Sequence, residues 1–172
     1  SVQEIENGYL PHIMHTRSLS IINTEAIERR NFSIVVDAVN GAAFRALPTM
    51  VEELGCTVHR LYCEPDGNFP RGAEPLPHNL KDLGEAVRKH KADAGFATDP
   101  DGDRLAIVDE KGNPLGEEYT LTICADGFLK TTSYPISIVT NLSTTMALDK
   151  IAEKYGSKVI RSAVGEINVI NK

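Results

Sequence analysis

The run Phe32-Ser33-Ile34-Val35-Val36-Asp37 is short, apolar and rich in β-branched residues, the pattern of a strand buried on both faces. Asn40-Gly41 breaks it. Apolar residues then recur at Phe44, Leu47, Val51 and Leu54 with the period of a helix, and Gly55 suits the left-handed position that ends one. Thr57–Tyr62 reads as the next strand. Two strands joined by a helical crossover lie parallel, because a tight turn can connect only antiparallel neighbours. This stretch therefore commits the chain to an α/β fold.

The remaining segments extend that unit. Before it, Ile5, Tyr9 and Ile13 are spaced for a helix, and Thr24–Arg30 predicts a short one with Thr24 as its N-cap. After it, residues 64–79 carry four prolines and two glycines, which predicts a long irregular loop at a functional site or over a sheet edge, anchored by Phe69 and Leu76. A helix follows over Leu80–Lys91 with Leu80, Leu83 and Val87 inward. Ala92–Thr98 is rich in small residues and reads as a strand packed closely between neighbours; Leu105–Val108 is a strand leaving the loop between them. Glu110–Asn113 is a turn and Glu117–Thr131 a helix. The first sheet is then mixed, with helices on both sides, a three-layer α/β domain over residues 1–115.

Residues 116–172 repeat the theme. Strand Ile136–Thr140, helix Thr144–Tyr155, a stop at Gly156 and strand Lys158–Ser162 make a βαβ unit, with Leu148, Ile151, Ala152 and Tyr155 inward. Val164-Gly165-Glu166 opens another helix close to Lys172. The expectation is part of a second, similar α/β domain in a piece of a longer protein.

Composition excludes several functions. A net charge of −6 argues against the basic face a nucleic-acid partner would need and against attraction to an anionic membrane, while leaving room for a locally basic site. Three scattered cysteines make no disulfide framework. The start, Ser1–Glu6, has neither the basic nor the apolar region of a signal peptide, and no apolar run reaches the length of a membrane span. The expected location is the cytoplasm.

Chemistry concentrates in Asp99-Pro100-Asp101-Gly102-Asp103-Arg104. Carboxylates at alternate positions of one loop repel and drive one another toward protonation unless a cation offsets them. An all-oxygen set suits a hard divalent ion such as Mg2+, which is commonly held by a few carboxylates with substrate phosphate in another position. A calcium hand matches Asp99, Asp101, Asp103 and Glu110, but Arg104 stands where the hand needs glycine, and strands flank the loop. A haloacid-dehalogenase-like phosphatase would use Asp99 as nucleophile in Asp99-Pro100-Asp101-Gly102, with Asp103 departing from its pattern. A solvated turn in a metal-free, non-enzymatic module is the third alternative. Elsewhere, His12 and His15 lack a further ligand nearby, Asn40-Gly41 suits close packing better than phosphate binding, and the hydroxyls of Asn141–Thr145 suit a helix cap.

Ala97–Arg104 also resembles the metal-binding loop of the α-D-phosphohexomutases, the phosphoglucomutase and phosphomannomutase family. Ile34–Ala42 is similar to the first strand and turn of that family's second domain, Asp66-Gly67-Asn68-Phe69-Pro70 to its long loop, and Ser162–Glu166 to a substrate-side turn of its third domain. The resemblance implies a Mg2+-dependent enzyme that moves a phosphoryl group between the 1 and 6 positions of a hexose through a phosphoserine and a sugar bisphosphate. It implies Asp99, Asp101 and Asp103 as metal ligands, Arg104 beside the phosphate, Gly165 and Glu166 facing the phosphosugar, and further domains of the same polypeptide on either side. No Thr-Ala-Ser-His-Asn-like serine loop and no Gly-Glu-x-Ser-Gly-His sugar loop occurs in these 172 residues, so the chain alone is expected to be inactive.

Overall fold

The computed structural model describes residues 5–172; Ser1–Glu4, most of the stretch that lacks signal-peptide character, lie outside them. The chain divides into two compact units after Gly116. In the first, helices α1 (Leu10–Arg17) and α2 (Thr24–Arg30) precede β1 (Ser33–Asp37), α3 (Ala46–Glu53), β2 (Thr57–Leu61), α4 (Lys81–His90), β3 (Ala94–Thr98) and β4 (Leu105–Val108). The sheet order is β2-β1-β3-β4. β1 runs parallel to β2 and to β3, with Val36 opposite Arg60 on one side and Phe96 on the other. β4 returns antiparallel to β3, Thr98 opposite Leu105.

Strand alternation divides the core into two layers. Val35 and Ala97 face one way and pack with Leu80, Leu83 and Val87 of the α4 region. Ile34 and Val36 face the other way and pack with Val51 of α3 and with Phe32, Leu47 and Phe96. The result is helix, sheet, helix, with a mixed four-stranded sheet in the middle. Small residues in β3 have the expected cause: a Cβ on Gly95 would lie 2.9 Å from both Leu83 Cδ1 and Val87 Cγ2, so α4 sits closer than any larger residue would allow.

Three local expectations change. The cap of α2 is Asn23, whose side chain accepts from the Ala26 N–H at 3.0 Å, so Thr24 is already inside the helix. Crossover helix α3 starts only at Ala46, after a short 3-10 turn over Ala42–Phe44. The proline-rich loop contains one 3-10 turn, Pro77–Asn79, and Phe69 is only partly covered, at 43% exposure.

The second unit holds α5 (Glu117–Thr131), β5 (Ser137–Asn141), α6 (Ala147–Lys154), β6 (Lys158–Ser162) and α7 (Glu166–Ile170). β5 and β6 are parallel, and Leu148, Ala152, Ala125 and Leu129 are buried. α6 begins three residues later than its apolar pattern suggests, because Asn141–Thr145 form the turn before it. There Asn141 Oδ1 accepts from the Ser143 N–H at 3.0 Å, and the Arg161 guanidinium donates to the Thr144 carbonyl at 2.7 Å. Among the described residues no helix is long and apolar enough to cross a membrane.

Candidate metal centre

β1 ends in Asp37 and β3 in Thr98, so the carboxyl ends of two adjacent parallel strands finish side by side. Crevices beyond such strand ends are the usual ligand sites of α/β sheets. The acidic loop lies there, as the six-residue tip that turns β3 back into β4. Asp99 is fully buried, whereas Asp101 and Asp103 are exposed. One carboxylate oxygen from each residue lies within 4.8 Å of the others. Trans ligands of an octahedral ion with bonds of about 2.1 Å are about 4.2 Å apart. A small inward swing of the two exposed side chains therefore closes the set, and an all-carboxylate cluster fits a hard cation.

Backbone geometry makes the convergence possible. Gly102 has φ +81°, a conformation that side chains disfavour, and its N–H donates to the Asp99 carbonyl at 3.2 Å. Gly41 abuts Pro100: a Cβ there would lie 2.4 Å from the Pro100 carbonyl oxygen, and the next N–H, of Ala42, donates to that oxygen at 2.7 Å. The Asn40-Gly41 turn thus supports the acidic loop. Its donors are already used, Asn40 N–H by the Tyr62 carbonyl and Gly41 N–H by Ala38. Val39 and Asn40, at φ +47° and +56°, carry backbone strain next to the site, which for buried, β-branched Val39 is costly.

Beneath the loop lies an ion pair invisible in the local sequence. Arg71, from the proline-rich loop, donates from Nε to Asp37 Oδ2 at 2.6 Å and from a terminal nitrogen to the Thr98 carbonyl at 2.5 Å. Both side chains are almost wholly buried, at 2% and 0% exposure. One guanidinium therefore ties the ends of β1 and β3 together immediately before Asp99. Burial pushes the Asp37 carboxyl up, against the opposing pull of Arg71.

Arg104 bridges two carboxylates. Its backbone N–H donates to Asp99 Oδ1 at 3.1 Å and its Nε to Asp99 Oδ2 at 2.7 Å. Its two terminal nitrogens meet the two carboxylate oxygens of Glu74, one at 2.9 Å. Burial raises the Asp99 carboxyl, but the N–H and guanidinium of Arg104 outweigh it and hold the group at about 2. Asp103 shifts upward, chiefly through the Asp101 charge and then through Asp99, which is the repulsion expected of clustered carboxylates. With Asp99 buried and both its oxygens engaged, it is poorly disposed as the nucleophile of a phosphatase.

The triad and Arg104 are brought together as their spacing suggests. Gly165 and Glu166 belong to the second unit, Gly165 before and Glu166 at the start of α7, both exposed. Sequence reasoning missed Asp37, Arg71 and Glu74. A carboxylate closing the apolar run of β1 was a signal that a buried partner was needed, but nothing local identified that partner. His12 and His15 are exposed and join no ligand cluster among the described residues.

Comparison with known proteins gives a consistent picture. Residues 7–112 match the family model for phosphoglucomutase/phosphomannomutase α/β/α domain II, and residues 116–172 the model for domain III. A phosphoglucomutase/phosphomannomutase of Thermococcus kodakarensis is 40% identical over 149 residues, covering 86% of this chain and 32% of the relative. A phosphoglucosamine mutase of Geotalea uraniireducens is 35% identical over 148 residues, covering 85% and 32%. The chain thus spans about a third of the length of these relatives. A crystal structure of a phosphoglucomutase/phosphomannomutase family protein from Burkholderia thailandensis superposes with a TM-score of 0.76 at 27% identity, covering 96% of this chain and 35% of that one. A phosphoglucomutase from Paramecium shares the fold at 23% identity, with a TM-score of 0.68 over 94% of this chain and 30% of that one.

Proposed function

This chain belongs to the phosphoglucomutase/phosphomannomutase family, and we propose that it is the metal-site portion of an enzyme interconverting hexose 1-phosphates and hexose 6-phosphates. In this reading residues 1–115 act as the second domain and residues 116–172 as the first part of the third, in a cytoplasmic polypeptide whose other domains supply the phosphoserine and most of the sugar contacts. The observation that carries it is the convergence of Asp99, Asp101 and Asp103 beside Arg104 at the carboxyl ends of β1 and β3.

The three carboxylates would hold Mg2+, which supplies charge neutralisation to phosphoryl oxygens. Asp99, Asp101 and Asp103 would be its ligands, the buried Asp99 from the base of the loop and Asp101 and Asp103 from its exposed side. Arg104 positions the phosphate through its guanidinium, a geometry suited to two oxygens at once. Gly165 and Glu166 contribute to the sugar side.

The test is a titration of Mg2+ or Mn2+ against the chain and its Asp101→Ala variant, following the amide signals of residues 99–104. Saturable change in the wild type, weakened in the variant, supports the reading. Identical spectra throughout would instead support a metal-free module. Alone, the 172 residues should not turn over glucose 1-phosphate, and measurable turnover would overturn the assignment of the phosphoserine to another part of the protein.

A further inference from the structure

We propose that Glu74 is an internal anion, occupying the edge of Arg104 that a phosphate oxyanion must take and leaving when that oxyanion arrives. The inference rests on the reading of Asp99–Arg104 as a metal and phosphate loop and adds to it a residue that gates the arginine. A guanidinium offers two edges for paired acceptors, one through Nε and one through its two terminal nitrogens. In Arg104 the Nε side is bound to Asp99 Oδ2 at 2.7 Å, and the terminal pair is bound across both oxygens of Glu74. Neither edge is open. To receive a phosphate through two donors of one edge, Arg104 must give up one carboxylate.

Burial decides which one. Asp99 is 0% exposed and is tied a second time, by the Arg104 N–H at 3.1 Å. Removing its guanidinium would strand a buried charge. The Glu74 side chain is 46% exposed and can swing into water at little cost. Its backbone, in contrast, is held on both sides. Three residues earlier Arg71 is buried against Asp37 and the Thr98 carbonyl, and the Glu74 carbonyl itself accepts from Asn79 Nδ2 at 2.8 Å. A fixed backbone with a releasable carboxylate is what a displaceable counter-ion requires. It also gives the proline-rich loop a task at the site: it delivers one charge beneath the cradle, through Arg71, and another to its rim, through Glu74.

The experiment uses inorganic phosphate as probe and the amide and Arg104 side-chain signals as readout, with the wild type, Glu74→Ala, Glu74→Gln, Arg104→Met and the Glu74→Ala/Arg104→Met double variant, each with and without Mn2+ or Mg2+. A half-exposed ion pair of this kind corresponds to a competition of about two- to fivefold. Glu74→Ala should therefore bind phosphate about two- to fivefold more tightly than wild type, Glu74→Gln should also gain, and the gain should vanish when Arg104 is absent. Equal or weaker phosphate binding by Glu74→Ala overturns the proposal, as does a gain that survives in the Arg104→Met background, which would reflect overall charge and not release of the arginine. Failure of the metal alone to perturb the wild-type loop would count against the metal reading, while the comparison without metal still decides the role of Glu74.

Discussion

Arg71→Met removes the guanidinium that joins the ends of β1 and β3, and its cost can be bounded. Three hydrogen bonds disappear, to Asp37 Oδ2, the Thr98 carbonyl and the Gly72 carbonyl. Asp37 is left buried with only the Val39 N–H at 2.8 Å. Breaking a buried pair by deleting one partner costs about 3–5 kcal/mol. Protonation of Asp37 sets a ceiling on the electrostatic part: from a pKa of about 3.9, neutralising a carboxyl at pH 7 costs about 4 kcal/mol. The sign of the pH dependence follows. Burial raises the folded-state pKa of Asp37 above its unfolded value, and without Arg71 only the Val39 N–H opposes that rise, so the variant's deficit is largest at neutral pH and shrinks in acid, by at most about 1.4 kcal/mol per pH unit. Adding Asp37→Asn should recover part of the loss at pH 7, because no buried charge remains. The assay is urea denaturation followed at the β1 and β3 amides at pH 5 and pH 7. A deficit below about 1 kcal/mol at pH 7, or one that does not shrink in acid, would refute the reasoning that Arg71 neutralises a buried carboxylate.

Gly41→Ala should push Pro100 away, since the new methyl would start 2.4 Å from its carbonyl oxygen; Mn2+ affinity should fall by about tenfold, as for other groups that support metal ligands, and unchanged affinity would separate the turn from the site. Leu83→Ala empties a fully buried position between α4 and the sheet and should cost about 2–5 kcal/mol in urea denaturation, without altering the metal titration of the folded protein. Asp109 is held below the usual carboxylate range first by the Asn113 N–H, at 2.7 Å, and then by the Asn113 side chain and the Lys111 N–H. Its contribution is present above the unfolded pKa and lost as pH falls through the lower folded one, so the stability difference between wild type and Asp109→Asn should narrow between pH 5 and pH 2; a constant difference would remove the turn from that role.

The parts of this protein governed by neighbours in sequence could be read without coordinates. The apolar run of β1, the glycine that ends α3, the small residues of β3 and the whole of α5 follow from local pattern, and so does the acidic loop, because its carboxylates are two residues apart. What escaped is set by pairing across the chain. Arg71 meets Asp37 from 34 residues away, and Glu74 meets Arg104 from 30; neither stands in a pattern that singles out an arginine or a glutamate. Hydrophobicity marked Phe69 as an anchor, and it is 43% exposed, whereas the charged Arg71 of the same loop, whose partner closes a strand, is buried. Asn23 and Thr24 both have side chains that can cap, and only the backbone decided between them.

The strand order β2-β1-β3-β4 gives the first unit an assembly history. Each new strand adds to the outside of what already exists: β2 beside β1, then β3 on the free side of β1, then β4 beyond β3. A chain emerging from the ribosome amino end first can therefore build the sheet vectorially, with no strand threading between two that are already paired. Asp37 and Arg71 are both synthesised before Thr98, whose carbonyl completes their junction, and the acidic tip follows directly, ahead of β4. The carboxylates that repel one another are therefore made only after β1, Arg71 and β3, the parts that lie beneath them.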